Sequence, residues 1–235
     1  MRPTSSHKST SNHGAAKRIN IFRQEGHADP CKNEELLHIA LTEEDEDVAW
    51  SAVAELQRRG DDPVYRLACD LCTAEDVHAR QIGANILGQL GWGARTFPKE
   101  SVATLLMMLD WEQEPEVLSA VAIALGHRHD AQAIGPLARF KDHLHASVRL
   151  GVVHGLLGYE DELAIQTLIA FSLDPQAEIR DWATFGLGST IETDTPAVRS
   201  ALLARLGDED EDTRGEAIVG LARRGDRRMI EPLIK

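Results

Sequence analysis

Residues 208–235 read DEDEDTRGEAIVGLARRGDRRMIEPLIK, and residues 148–168, VRLGVVHGLLGYEDELAIQTL, carry the same rhythm in other residues. Laid over the rest of the chain, that rhythm gives six copies of one helix. Each copy ends on a leucine eight residues after its first core slot: Leu56, Leu87, Leu125, Leu156, Leu187 and Leu221. The first slots are Val48, Ala79, Val117, Val148, Ile179 and Thr213, and the middle slots, four residues in, are Ala52, Gly83, Val121, Val152, Ala183 and Ala217. Positions 0, 4 and 8 line one face of an α-helix, so each copy predicts a helix with one packed stripe.

Successive first slots lie 31, 38, 31, 31 and 34 residues apart, a period that belongs to stacked helix pairs. The two longer steps contain GWGARTFPKE (91–100) and STIETDTPA (189–197). Beyond the leucines, at a common offset, stand Asp61, Asp130, Asp161 and Asp226. A carboxylate there can accept the orphan N–H groups that open a second helix. The second helices repeat Ile134/Leu137, Ile165/Leu168 and Ile230/Leu233, with Pro136 and Pro232 early, where a missing N–H costs little.

Units such as VRLGVVHGLLGYED and TRGEAIVGLARRGD resemble the HEAT-repeat family, in the short bacterial form also found in bilin-lyase-like proteins. The resemblance spans roughly residues 33–235. It implies an all-α, right-handed α-solenoid of about six helix pairs, with units starting near 45, 76, 114, 145, 176 and 210 and with EELLHIAL (34–41) as a lone second helix before the first. Because the repeated positions are packing positions, the resemblance speaks to fold and hardly to chemistry. It leaves two readings open: a non-catalytic protein-binding scaffold or adaptor, and a bilin-lyase-like enzyme or chromophore chaperone.

Composition narrows the choice. With 235 residues and 43% hydrophobic content the chain can bury a sizeable core. No apolar run approaches the roughly 18 residues of a membrane span, and no signal-peptide core is visible at the amino end, so a cytoplasmic location is expected. Cys31, Cys69 and Cys72 are too few and too uneven for a disulfide framework, and the CDLC of 69–72 lacks a second pair for zinc. The net charge of −13 is uneven: residues 1–32, expected as a disordered basic tail, carry six Lys or Arg against two Asp or Glu, or +4, leaving −17 on the body. So acidic a body is a poor ligand for a phosphate backbone, which argues against nucleic acid.

No catalytic residue, metal or cofactor is predicted. Five histidines crowd residues 127–154, but His127 and His129 fall in a turn within a unit while His143 and His145 fall in a turn between units, and His154 adjoins the packed face. A helix of about ten residues would hold the two turns roughly 15 Å apart. No His-Glu dipeptide occurs, which removes a di-iron site of the kind found in one HEAT-like hydroxylase. Trp182 is expected in the core. Trp92, Arg95 and Phe97 interrupt the array in its long insertion and are candidate binding residues, since insertions in repeat proteins map to loops.

A second candidate is an acidic edge. The loops that precede the first helices carry TEEDED, AEDV, EQEPE and DEDED, whereas the turns within units carry QRRGD, GHRHD and ARRGDRR. Acids before a helix complement its dipole, but DEDED exceeds what one helix end uses. Asp208, Asp210 and Asp212 are therefore expected to engage a basic segment of a protein partner, with the +4 tail competing intramolecularly. The apolar flank of the closing repeat is expected either to self-associate or to mark a chain cut from a longer array.

Overall fold

The computed structural model describes residues 31–230, and among them the fold is all-α, with no strand. The chain divides into two compact units, Met1–Thr96 and Phe97–Lys235. The first holds α1 (Asn33–Thr42), α2 (Glu46–Arg59), α3 (Asp62–Leu71) and α4 (Val77–Gln89). The second holds α5 (Pro98–Trp111), α6 (Pro115–Arg128), α7 (Ile134–Ala138), α8 (Ala146–Leu156), α9 (Glu162–Phe171), α10 (Ala177–Phe185), α11 (Pro196–Arg205) and α12 (Glu211–Arg223).

Each unit is built of stacked helix pairs, the α-solenoid plan that the repeat predicts. The first helices are α2, α4, α6, α8, α10 and α12, and all six leucines of the repeat are buried, as are the six first slots and the six middle slots. α1 packs on α2, with Leu36 and Ala40 buried. The common aspartates do cap: Asp61 accepts from the Val64 N–H at 3.0 Å, Asp130 from Gln132 at 2.9 Å, Asp161 from Leu163 at 2.8 Å and Asp226 from Arg228 at 3.2 Å.

Small residues set how closely the first helices of the second unit approach. A Cβ placed on Gly155 of α8 would stand 2.7 Å from the Ala122 carbonyl oxygen of α6, and one on Gly220 of α12 would stand 2.6 Å from the Cα of Gly188. Backbone therefore meets backbone at these points. Any larger residue would force the helices apart at a cost of about 1–3 kcal/mol.

The turns between repeats are tied by arginines one place after the first slot. Arg80, Arg149, Arg180 and Arg214 each donate through one guanidinium nitrogen to two carbonyls of the turn just before their own helix. Arg149 also grips Asp174 at 2.7 and 3.0 Å, and Arg180 grips Asp208 at 3.0 and 2.9 Å, each carboxylate belonging to the next turn along the chain. These ion pairs are nearly dry, with the Asp208 side chain 4% exposed. A ladder of charge-assisted bonds thus runs along the edge of the second unit.

Both long steps resolve into local detail. The stretch 91–100 makes a short turn, Trp92–Ala94, and then opens α5, with left-handed backbone at Trp92, Arg95 and Phe97 (φ 41°, 46° and 48°). Three side-chain-bearing residues in that region store strain, which persists only where surrounding contacts hold it. Here the Gly91 N–H donates to the Gln57 carbonyl at 2.7 Å and the Thr96 hydroxyl to the Gly60 carbonyl at 2.7 Å. In the other long step α10 runs into a π-helical turn, Gly186–Thr190, that carries Leu187. Arg224 closes this turn: its two terminal nitrogens donate to the carbonyls of Leu187, Gly188, Ile191, Thr193 and Gly220 at 2.8–3.3 Å. Glu160 pins the following loop by accepting from the Glu192 and Thr193 N–H groups and the Thr193 hydroxyl, contacts that hold its carboxyl below the usual range.

The basic tail, apart from Cys31 and Lys32, and the closing Pro232 and Leu233 lie outside the described residues. So does most of the terminal flank considered for self-association.

Candidate interaction surface

Two places in the structure combine aromatic rings with carboxylates that meet no cation among the described residues. The first lies in the second unit, on the faces of α8, α10 and α12. Trp182 meets His154 edge-on at 4.4 Å and Phe185 at 5.6 Å, so it is half-buried on a face of rings and does not fill the core expected for it. Beside it stands Asp181, whose Oδ1 is buried without a hydrogen-bond partner among the described residues. Burial pushes the Asp181 carboxyl up to about 6, and the neighbouring Glu216, Asp210, Asp212 and Glu178 push in the same direction. His154 is shifted down, by burial first and by His127 as well, with Glu178 opposing.

That environment fixes a pH dependence. Because the folded-state pKa of Asp181 is raised above the ordinary ~3.9 of an unfolded chain, the native state holds the proton more tightly. Stability is then gained as pH falls from above 6 towards 4, and the ionised group opposes folding at pH 7 and above. Asp181→Asn is expected to be more stable than the parent by about 1 kcal/mol near neutral pH, after allowance for solvent screening, and equal to it near pH 4. Urea melts at the two pH values check this, and a variant weakened at neutral pH would contradict it.

The second place is a groove in the first unit of about 510 Å³, lined by Asp47, Trp50, Ser51, Ala54, Gln57, Gln89 and Trp92. Trp50 and Trp92 are 51% and 52% exposed, unusual for residues with so much apolar surface. Helix α2 supplies five of the lining residues: Asp47, Trp50, Ser51 and Ala54, which fall off its packed stripe, and the buried Gln57 at its edge. The Gln57 amide donates to the Asn85 carbonyl at 2.8 Å, and the strained turn holds Trp92 at the end of α4.

The residues singled out in the sequence fare differently. Trp92 lines the groove, whereas Arg95 and Phe97 are not among its lining residues; Phe97 instead precedes the first residue of α5 in the second unit. Asp208, expected on a free acidic edge, is instead locked inside the chain: Arg180 and Arg205 bind it, and the Arg180 bonds hold its carboxyl below the usual range. Asp210 is the cap of α12, accepting from the Thr213 N–H and hydroxyl at 2.8 and 2.7 Å. Asp45 and Asp76 cap α2 and α4 in the same way. The acids of DEDED that remain exposed are Glu209, Glu211 and Asp212. Trp50 was not anticipated, although its place two residues after Val48, off the packed stripe, was the sign. The recurrence of arginine one place after the first slot, in four of the six copies, was likewise readable, although it does not by itself name Asp208 as a partner.

Neither CDLC nor the histidines assemble into a site. Burial raises the Cys72 thiol to about 12, so it is a packing group with little thiolate at neutral pH. His129 stacks on Tyr159 at 4.2 Å, and His143 and His145 face each other at 5.7 Å. Among the described residues no three His, Cys, Asp or Glu side chains converge on a metal position, and no helix is long and apolar enough to cross a membrane.

Comparison with known proteins places this architecture. Residues 171–235 match the sequence model for HEAT repeats. Over 228 residues the chain is 27% identical to Protein YibA of Escherichia coli strain K12, with 93% of this chain and 78% of the relative covered; the figures are the same for Protein YibA of Escherichia coli O157:H7. The fold superposes on the X-ray structure of YibA from E. coli with a TM-score of 0.72 at 22% identity, covering 98% of this chain and 81% of the other. It also superposes on a designed armadillo repeat protein, in complex with the peptide (KR)4, with a TM-score of 0.51 at 13% identity, covering 82% and 99%. The carboxy-terminal repeats, residues 171–235, thus match HEAT repeats, and the stacked helix pairs of the described residues share the fold of these repeat proteins.

Proposed function

We propose that this repeat scaffold is a non-catalytic, cytoplasmic adaptor that binds a protein partner through a basic segment. The observation that carries the reading is Asp181, a carboxylate kept half-buried among like charges and aromatic rings at a cost to the fold. Unfavourable charge of this kind marks functional surfaces, because an incoming cation relieves it. The complex of the designed armadillo repeat protein with (KR)4 supports the choice of ligand chemistry, since a similar fold there accommodates alternating basic residues. A chain of net charge −13 steers such a segment electrostatically, and the basic residues 1–32 would compete with it.

Calorimetric titration of the full chain with (KR)4, against an acidic peptide of equal length, tests the reading at low ionic strength. Binding of the basic peptide alone is expected. A variant carrying Asp181→Asn, Asp212→Asn and Glu216→Gln should bind it about tenfold more weakly, or ~1.4 kcal/mol. Asp208 and Asp210 are left intact because their loss would damage the fold. Equal binding of both peptides, or of neither, would refute the proposal.

A further inference from the structure

The groove of the first unit has a composition that no packing argument requires. Two half-exposed indoles, Trp50 and Trp92, line it together with the carboxylate of Asp47, which meets no cation among the described residues. Indole faces attract cations through the ring quadrupole, and the attraction grows as the cation loses water. The groove also offers acceptors. The Gln57 amide nitrogen is spent on the Asn85 carbonyl, which leaves its carbonyl oxygen and the Asp47 carboxylate as the groups able to receive N–H donors. Its volume of about 510 Å³ lies within the range of sites that enclose a small ligand and exceeds what one water-filled surface dimple provides.

A strained segment bounds the groove on one side. Trp92 itself has left-handed backbone, and the turn is clamped at both ends, by the Gly91 N–H on the Gln57 carbonyl and by the Thr96 hydroxyl on the Gly60 carbonyl. A Cβ on Gly91 would stand 2.5 Å from the Thr96 hydroxyl, so glycine is needed for the clamp to close. The chain thus holds an exposed indole in a fixed, costly position where a relaxed loop would have let it turn away.

From this we infer that the Trp50–Trp92 groove is the seat of an arginine side chain of the bound partner, stacked on indole and neutralised by Asp47. Arginine is favoured over lysine because its planar guanidinium stacks on aromatic rings and carries five donors, which suits a groove offering a carboxylate and an amide oxygen. The inference deepens the adaptor reading and rests on it for the source of the arginine, although the groove is in the first unit and the Asp181 face in the second.

The test uses the full chain and two probes, arginine amide and (KR)4, followed by the indole N–H resonances of the four tryptophans and by titration calorimetry. Arginine amide is expected to shift the Trp50 and Trp92 signals, and lysine amide to shift them less. Trp50→Ala with Trp92→Ala should weaken (KR)4 binding about tenfold, Trp50→Phe should restore part of it, and Asp47→Asn should cost about threefold at low salt. Both tryptophans are exposed, so these variants fold, and circular dichroism confirms it. If (KR)4 binds undiminished to the double variant and neither indole signal moves with arginine amide, the groove proposal is overturned while the adaptor reading stands. If (KR)4 does not bind but arginine amide still shifts both indoles, the groove stands and the adaptor reading falls.

Discussion

Replacing Leu156 by alanine is expected to cost about 2–5 kcal/mol of stability, the range for truncating a fully buried leucine in a core that relaxes only in part. Leu156 has no exposed surface, closes α8, and follows Gly155, where α8 touches the backbone of α6. That backbone contact is why the loss should sit high in the range: helices already touching through glycine cannot move closer to fill the cavity. Urea denaturation followed by circular dichroism measures the change. A loss below about 0.5 kcal/mol would be the signature of a surface position and would contradict the register of the repeat.

Arg224 is expected to matter as much, although nothing in its sequence neighbours distinguishes it from Arg223. Its guanidinium reaches five carbonyls around the π-helical turn, and its side chain is 5% exposed. Arg224→Ala should cost about 3–5 kcal/mol, because it takes the donors away from five carbonyls at once. Arg224→Lys should recover only part of the loss, since an ammonium has three donors and no fork. Arg223→Ala is the control: Arg223 is exposed, and its ion pair with Glu192 is worth under about 1 kcal/mol. Equal losses for the two alanine variants would show that the turn does not depend on its arginine.

What was legible in the sequence follows from what a periodic pattern records. Burial along a helix repeats every three to four residues, so the leucine slots, the small middle slots and the capping aspartates could be placed without coordinates. Pairing between charged side chains leaves no such local trace. Asp208 sits in a run of five acids and reads as solvated, yet its partner, Arg180, is 28 residues away and belongs to the preceding unit. Trp182 shows the opposite failure. It lies near the packed stripe, but the stripe is narrow, and a ring as large as indole reaches beyond it to lie against His154. The position of Trp50 off the packed stripe was readable, but its groove was not, because the turn after α4 is what brings Trp92 to it.

The arginine ladder makes each inter-repeat turn joint property. Asp174 shapes its own turn by accepting the Gln176 N–H, while also serving Arg149 of the unit before it. A unit is consequently interchangeable as a module when a full repeat length is exchanged, so that each arginine still meets an aspartate of the next turn. Excising residues 148–178 would bring Arg180 to the place of Arg149, still reaching forward to Asp208, and the ladder would lose one rung without leaving a charge stranded. A cut that removed Arg149 and kept Asp174, or the reverse, would leave one of the two charges without its partner. Growth and shortening of such an array by whole repeats is therefore a grammar enforced by electrostatics, with the turn as its punctuation.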